Sequence, residues 1–166
     1  LQINSMVAND EIEIADELIG KAIADLRTLS HNLNTNHIKE IGFTESIKSL
    51  LNQFERAGKF KVNVINKGQD LEIADDSGLI VFRVIQEILN NITKHANADT
   101  INVFIDQQKD DTLIRIEDNG RGFDLQGKEA KGIGLKNMAD RIRIIGGKLS
   151  INSEINKGTS IEISLP

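Results

Sequence analysis

One stretch constrains the fold more than any other: residues 81–98, VFRVIQEILNNITKHANA, have the pattern of a helix with two unlike faces. At about 100° per residue, its apolar side chains fall on one side. These are Val81, Val84, Ile85, Ile88, Leu89, Ile92 and Ala96. Glu87, Asn91 and Lys94 cluster on the opposite side. We therefore expect this helix to bury one face against a core and to present a carboxylate, an amide and an ammonium on the other.

The polar stripe is a candidate site. A carboxylate, an amide oxygen and an ammonium at i, i+4 and i+7 suit a magnesium-bound polyphosphate, because the amide can take one metal position and the cation can meet phosphate oxygens. The alternative is a solvated helix face, which is what polar stripes usually are. The stripe alone does not decide between them.

Composition limits the classes of partner. The net charge of −5 argues against a nucleic-acid partner bound through a general basic surface. The chain has no cysteine, which excludes disulfides and thiolate metal sites, and it has no apolar run near the roughly 18 residues of a membrane span. We expect a cytoplasmic piece of a longer protein, since Leu1 already looks helical. A membrane anchor upstream, in an inner-membrane-associated parent, stays open.

Residues 11–33 predict a long helix with a seam of apolar residues at alternating steps of four and three, typical of a bundle. The seam is Ala15, Ile19, Ala22, Leu26, Leu29 and Leu33. A polar linker over residues 32–42 follows. We therefore predict two parts: residues 1–36 as the C-terminal part of a dimerisation helical hairpin, forming a homodimer, and residues 37–166 as a separate domain.

The second part contains both strand and helix patterns, and the strands are grouped into hairpins. Thr44 is predicted to cap a helix reaching Ala57, and strands follow at FKVNVIN, TINVFID and TLIRIED, the last two forming a hairpin. A helix follows Gly132-Ile133-Gly134, and residues 147–165 form a closing hairpin. Hairpins instead of strict strand-helix alternation predict an α+β fold, a two-layer sandwich of a mixed sheet with helices on one face.

The DNGRG stretch at residues 118–122 offers what purine recognition needs. Asp118 can accept the adenine amino proton, while Gly120 and Gly122 allow the backbone to approach a flat ring closely. The alternative is an ordinary tight turn, since Asp-Asn-Gly is a common turn sequence.

Two later glycine motifs add weak signals of the same kind. Gly132 and Gly134 stand before a helix, where free backbone amides favour phosphate. The alternative is that these glycines only shape the loop. Residues 124–131 have the composition of a lid that folds over phosphates. Gly158-Thr159 precedes the last strand and could place a hydroxyl near the base. The joint occurrence of all four signals, in this order along one chain, is improbable by chance.

With these motifs the chain resembles the ATP-binding catalytic domain of sensor histidine kinases (the Bergerat or GHKL ATPase fold), whose superfamily also holds gyrase-type topoisomerases, mismatch-repair ATPases and heat-shock chaperone ATPases. QEILNNITKHA is similar to the family's N box, DNGRGF and GIGLKNM to its two glycine boxes, and GTSIEISLP to its closing strand. The LSHNL element and the KHA ending of the N box resemble the subgroup that pairs with LuxR-type response regulators.

The resemblance implies ATP and Mg²⁺ as cofactors and gives each motif residue a role. Asn91 would ligate magnesium, Lys94 and His95 would touch phosphate, and Asp118 would read adenine. Glu87 would be the catalytic acid that polarises the attacking group. The remaining implied nucleotide contacts are Gly120 and Gly122 at the purine, Gly132, Gly134 and Leu135 near the phosphates, and Thr159 beside the base.

The resemblance also implies an activity: transfer of the ATP γ-phosphate to a histidine of the dimerisation bundle, for relay to an aspartate of a response-regulator receiver domain. The acceptor histidine is expected upstream of Leu1, so this piece should bind Mg-ATP without phosphorylating itself. His31 matches the LSHNL element and not the acceptor motif. Two alternatives are an anti-sigma-factor-like serine kinase on the same nucleotide fold and a silent dimerisation scaffold.

Overall fold

The structure is a computed structural model, and it describes residues 38, 41–57, 60–67, 73, 75–108, 111–125, 127 and 133–166. These residues belong to one compact unit, Ile38–Pro166. The predicted bundle helix, its dimerisation seam and His31 lie outside the described residues, as do Gly132 and most of the predicted lid. The division at residues 36 and 37 stays a prediction.

The described helices and strands follow one another along the chain in this order. Helix α1 spans Phe43–Ala57, strand β1 Lys61–Lys67 and helix α2 Asp75–Asn91, which continues into a π turn at Ile92–Ala96. Strands β2 and β3 span Thr100–Gln107 and Thr112–Asp118. Helix α3 spans Ile133–Ile144, and strands β4 and β5 span Lys148–Glu154 and Gly158–Leu165. No helix in these described segments is long and apolar enough to cross a membrane.

The strands form one mixed sheet in the order β1-β2-β3-β5-β4. Strand β1 is parallel to β2, and the other neighbours are antiparallel. Both predicted hairpins are present, β2-β3 and β4-β5. The pairing of β3 with β5 sets Asp118 opposite Thr159, at the end of both central strands. The predicted α+β class with a mixed sheet is therefore confirmed.

One face of the sheet is apolar and forms the core together with the helices. The strand pattern alternates as predicted, because side chains of successive residues point to opposite faces. Ile101, Val103, Ile114, Ile116 and Ile163 are almost fully buried in the same cluster as the apolar residues of α1, α2 and α3. The opposite face carries polar and charged residues such as Asn102, Arg115 and Glu162. The helices therefore cover a single face of the sheet, and the fold has two layers, one of helices and one of strands.

The N-terminal end of α1 differs from the prediction. The helix begins at Phe43, so Thr44 lies buried in its first turn and is not the cap. Gly42 precedes it with φ +83°, and its carbonyl accepts from the Ser46 amide at 3.2 Å and the Ser46 hydroxyl at 2.7 Å. A glycine is suited to this left-handed entry because other residues pay a steric cost there. Ile38 is buried and helical, so the predicted linker ends earlier than Gly42.

The central helix α2 begins six residues before the predicted start, at Asp75. Gly78 lies inside it, where an added Cβ would be 3.3 Å from Cδ2 of Phe43, so this glycine marks a close approach of α1 and α2. The predicted apolar face is confirmed: every one of its seven residues is at most 9% exposed. The last turn, however, is a π turn, a form that often occurs at functional sites.

Candidate functional site

A cavity of about 390 Å³ opens between the end of α2, the end of the central strands and the start of α3. Its volume lies within the range of ligand pockets. Seven residues singled out from the sequence line it: Asn91, His95, Asp118, Gly122, Gly134, Leu135 and Thr159. Residues from four motifs far apart in the chain thus meet in one place.

The walls of this cavity are apolar. Ile88, Ile92 and Ala96 come from α2 and the π turn, and Ile116 and Ile161 come from neighbouring strands. These residues were expected only as core, yet they border an open cavity. Apolar walls with few polar groups are the usual lining of a small-molecule site. The periodic pattern marks such residues as apolar but cannot tell a core from a cavity wall.

Asp118 supplies the buried charge of the cavity. It ends β3 and is 8% exposed. Burial raises the pKa of this carboxyl, while hydrogen bonds from the Gly120 amide, the Thr159 amide and the Thr159 hydroxyl oppose that rise. The Gly120 amide donates to Asp118 Oδ1 at 2.8 Å. The carboxylate is therefore held as a fixed acceptor at one end of the cavity.

The turn after Asp118 is fastened to the π turn. A Cβ on Gly120 would overlap the Ala96 carbonyl oxygen, so only glycine allows this approach. The Arg121 amide donates to the same carbonyl at 2.7 Å, and Arg121 Nε donates to the His95 carbonyl at 2.7 Å. Carbonyls left free at a helix end need such partners. Arg121, which the sequence did not single out, thereby fixes the backbone that carries His95.

Asn119 fastens the other side of this corner. Its Oδ1 accepts from the amides of Asp99 and Thr100 at 3.1 and 3.0 Å, and its Nδ2 donates to Asp99 Oδ1 at 2.6 Å. The hydrogen bonds from the Asn119 and Thr100 side chains lower the pKa of Asp99. Asn119 is therefore a structural residue that holds the start of β2 against the Asp118 turn.

The remaining predicted site residues lie elsewhere. Glu87 is half-buried one turn before Asn91, and an added Cβ on Gly134 would be 3.7 Å from its Oε1. Lys94 is exposed and does not line the cavity. A π turn is wider than an α turn, so it rotates Lys94 farther from Asn91 than an α-helix would. The predicted roles of all the site residues, those that line the cavity and those that do not, stay predictions.

The fold is similar to the folds of several solved structures. It is similar to the blue-light activated histidine kinase EL346 of Erythrobacter litoralis, with a TM-score of 0.68, 19% identity, and coverage of 86% of this chain and 49% of that one. It is also similar to the histidine kinase AdeS of Acinetobacter baumannii, with a TM-score of 0.64, 15% identity, and coverage of 89% and 83%. At these identities the likeness shows a shared fold.

Curated relatives match over nearly the whole chain. The chain is 30% identical over 156 residues to the signal transduction histidine-protein kinase/phosphatase DegS of Brevibacillus brevis, covering 94% of this chain and 40% of that protein. It is 32% identical over 158 residues to the sensor protein VraS of Staphylococcus epidermidis, covering 95% and 45%. The chain thus spans less than half the length of these relatives.

A family model agrees with both comparisons. The model described as "Histidine kinase-, DNA gyrase B-, and HSP90-like ATPase" matches residues 75–166, from the start of α2 to the end of the chain. The match covers more than half of the chain and includes every described residue that lines the cavity. It implies that this domain binds ATP. The chain therefore belongs to the family of histidine kinase-, DNA gyrase B- and HSP90-like ATPases.

Proposed function

We propose that this chain is the catalytic part of a sensor histidine kinase, which binds Mg-ATP and transfers the γ-phosphate to a histidine of a dimerisation bundle. One observation carries the proposal: the Asn91 amide, the Asp118 carboxylate and the glycines of two loops border a single cavity. The names of the curated relatives favour this function over an anti-sigma-factor-like serine kinase.

Adenine fits the apolar end of the cavity. Its ring would lie between the isoleucines of α2 and those of β3 and β5, with its amino group toward Asp118. The buried carboxylate suits this amine, since a hydrogen bond to a charged acceptor contributes more than a neutral one when water is excluded. Thr159 borders the same end and donates to Asp118, so it would support the base indirectly.

The phosphates would extend toward Asn91 and the start of α3. Gly134 lies in the first turn of α3, where free amides and the helix dipole favour negative charge. Asn91 offers one neutral oxygen to Mg²⁺, so most of the metal's ligands would come from phosphate and water. His95, one turn further, borders the cavity and would contact phosphate, while the exposed Lys94 ammonium would approach the phosphates from outside the cavity lining. Catalysis of this kind depends on positioning and charge neutralisation more than on covalent chemistry.

Glu87 is the proposed catalytic residue. Its Oε1 lies 3.7 Å from the position of a Cβ added to Gly134, which is in the first turn of α3. From there it would accept a proton from, or orient, the attacking imidazole of the acceptor histidine. The phosphohistidine would then pass its phosphoryl group to an aspartate of a response-regulator receiver domain.

The proposal also covers the assembly. Residues 1–36 would belong to the dimerisation hairpin of a homodimer, and residues 37–166 to the catalytic domain. The LSHNL element and the KHA ending of the N box support a response regulator with a LuxR-type output domain as partner.

Asn91→Ala tests the metal-binding part of the proposal. The variant is expected to bind ATP at least about tenfold more weakly than the unchanged chain in magnesium, the loss that follows from about 1.5 kcal/mol for one contact to a charged group. The difference should shrink in EDTA. Calorimetric titration measures both, with Asn137→Ala on the exposed face of α3 as the matched control. Equal affinities of Asn91→Ala and the unchanged chain in magnesium would favour a silent scaffold instead.

A further inference from the structure

A chain of hydrogen bonds links Asp118 to residues of β4 and β5 and of the turn after β3. It begins at the Phe123 amide, which donates to the Ser153 hydroxyl oxygen at 2.9 Å. Ser153 Oγ lies 3.0 Å from Thr159 Oγ1, and the Thr159 hydroxyl bonds to Asp118. Ser153 lies on β4, does not line the cavity and was not singled out from the sequence.

Counting protons gives the chain a direction. A hydroxyl has one proton to donate. Thr159 gives its proton to the Asp118 carboxylate, which has none to offer when ionised, so in the contact between the two hydroxyls Ser153 is the donor. Its competing acceptor, the Gly158 carbonyl, is farther away at 3.2 Å. The Phe123 amide can only donate, so the chain of hydrogen bonds begins at Phe123 and ends at Asp118.

We propose that Ser153 is a positioning residue for base selectivity: by donating to Thr159 it keeps the Thr159 hydroxyl directed at Asp118, and so holds that carboxylate as an acceptor for adenine and against guanine. This inference rests on the proposed function, because it concerns the same nucleotide. Hydrogen bonds in series polarise one another, so the first donor strengthens the last bond.

The selectivity follows from the groups on the two purines. Adenine carries an amine where guanine carries a carbonyl oxygen. An ionised carboxylate accepts from the amine and repels the carbonyl, whereas a protonated carboxyl can donate to the carbonyl. Burial already raises the pKa of Asp118, and the Thr159 hydrogen bond opposes this. Loss of the Ser153 hydroxyl weakens the Thr159 hydrogen bond, so the pKa of Asp118 should rise. As the pH is lowered, the preference for adenine should therefore be lost at a higher pH than in the unchanged chain.

Two other basic side chains border the same cavity, and the test must separate them from Asp118. His95 comes from the π turn and Arg121 from the turn after Asp118. His95 is proposed to contact the phosphates, which are identical in ATP and GTP. Any change at His95 therefore alters both affinities alike and cancels in their ratio.

The experiment measures the affinities of this chain for Mg-ATP and Mg-GTP between about pH 5 and pH 8. Ser153→Ala is expected to lower the ATP/GTP affinity ratio about fivefold, the effect of weakening one hydrogen bond to a charged group. As the pH is lowered, the ATP/GTP affinity ratio of this variant should fall at a higher pH than the ratio of the unchanged chain. Ser153→Thr, which keeps the hydroxyl, should restore both, and Ser150→Ala, on the exposed side of the same strand, should change neither.

The outcomes distinguish the inference from the proposed function. If the unchanged chain does not bind ATP, the proposed function is wrong. If it binds ATP but Ser153→Ala leaves the ratio and its pH midpoint unchanged, or weakens ATP and GTP equally, the role of Ser153 in selectivity is wrong. Should Ser153→Ala lose its folded circular dichroism, Ser153→Cys replaces it with the same expectations, because a thiol is a weaker donor.

Discussion

Replacing Asp118 with asparagine is expected to weaken ATP binding by about one to two orders of magnitude while the domain stays folded. The carboxylate accepts from the Gly120 amide at 2.8 Å and from Thr159, and it retains acceptor capacity toward the cavity. An amide has one acceptor oxygen, which those backbone donors would occupy, and it would turn its own N–H groups toward the adenine amine. The neutral side chain removes the cost of a buried charge, so stability should not fall sharply.

Calorimetric titration with Mg-ATP measures this loss. Asp111→Asn is the matched control, because Asp111 is exposed in the β2-β3 turn and far from the cavity. An Asp118→Asn variant that binds ATP as tightly as the Asp111→Asn control would mean that the buried carboxylate does not read the base.

Gly158→Ala is expected to lower the free energy of unfolding by more than about 4 kcal/mol, a loss large enough to unfold many domains. Gly158 has φ +84°, and a Cβ there would overlap the Asp118 carbonyl oxygen. Because the obstacle is the backbone of the neighbouring strand β3, no side chain can rotate away. The central strands would have to separate at the corner that carries the adenine-reading carboxylate.

Gly42→Ala separates the two causes of the loss expected for Gly158→Ala, which are the left-handed backbone conformation and the overlap with the backbone of β3. Gly42 has nearly the same dihedral, φ +83°, but a Cβ there would meet no atom within 4 Å. The same substitution should therefore cost only the left-handed conformation, about 1–2 kcal/mol. Urea denaturation followed by circular dichroism compares the two variants. Similar losses at both positions would contradict the close approach of β5 to β3.

The architecture could be predicted because the patterns that specify it are local. Alternation in β2 and β3, turn residues between the strands of each hairpin, and the spacing of Val81 to Ala96 all follow from a fixed number of residues per repeat. These patterns gave the mixed sheet and the buried face of α2. The early start of α2 was missed because Gly78 resembles a helix breaker in sequence, whereas it is required by the close packing of Phe43.

The candidate site was predictable in composition and less so in geometry. Motif order indicated that Asn91, Asp118 and Thr159 belong together, and the register of β3 with β5 accounts for the last pair. Nothing local predicts the π turn, because it depends on tertiary partners for its carbonyls. For the same reason the anchoring role of Arg121 and the hydroxyl of Ser153 were missed: their partners are 26 and 30 residues away in the chain.

ATP is expected to occupy the cavity between α2, the Asp118 turn and the start of α3. NMR shows this through the amide chemical shifts of the isotope-labelled chain during titration with Mg-ATP. The largest shifts are expected at Asn91 and His95, at Gly120 and Gly122, and at the starts of α3 and β5. Shifts confined to the polar face of the sheet would contradict ATP binding in this cavity. The absence of any shift at an ATP concentration that saturates related kinases would contradict it as well.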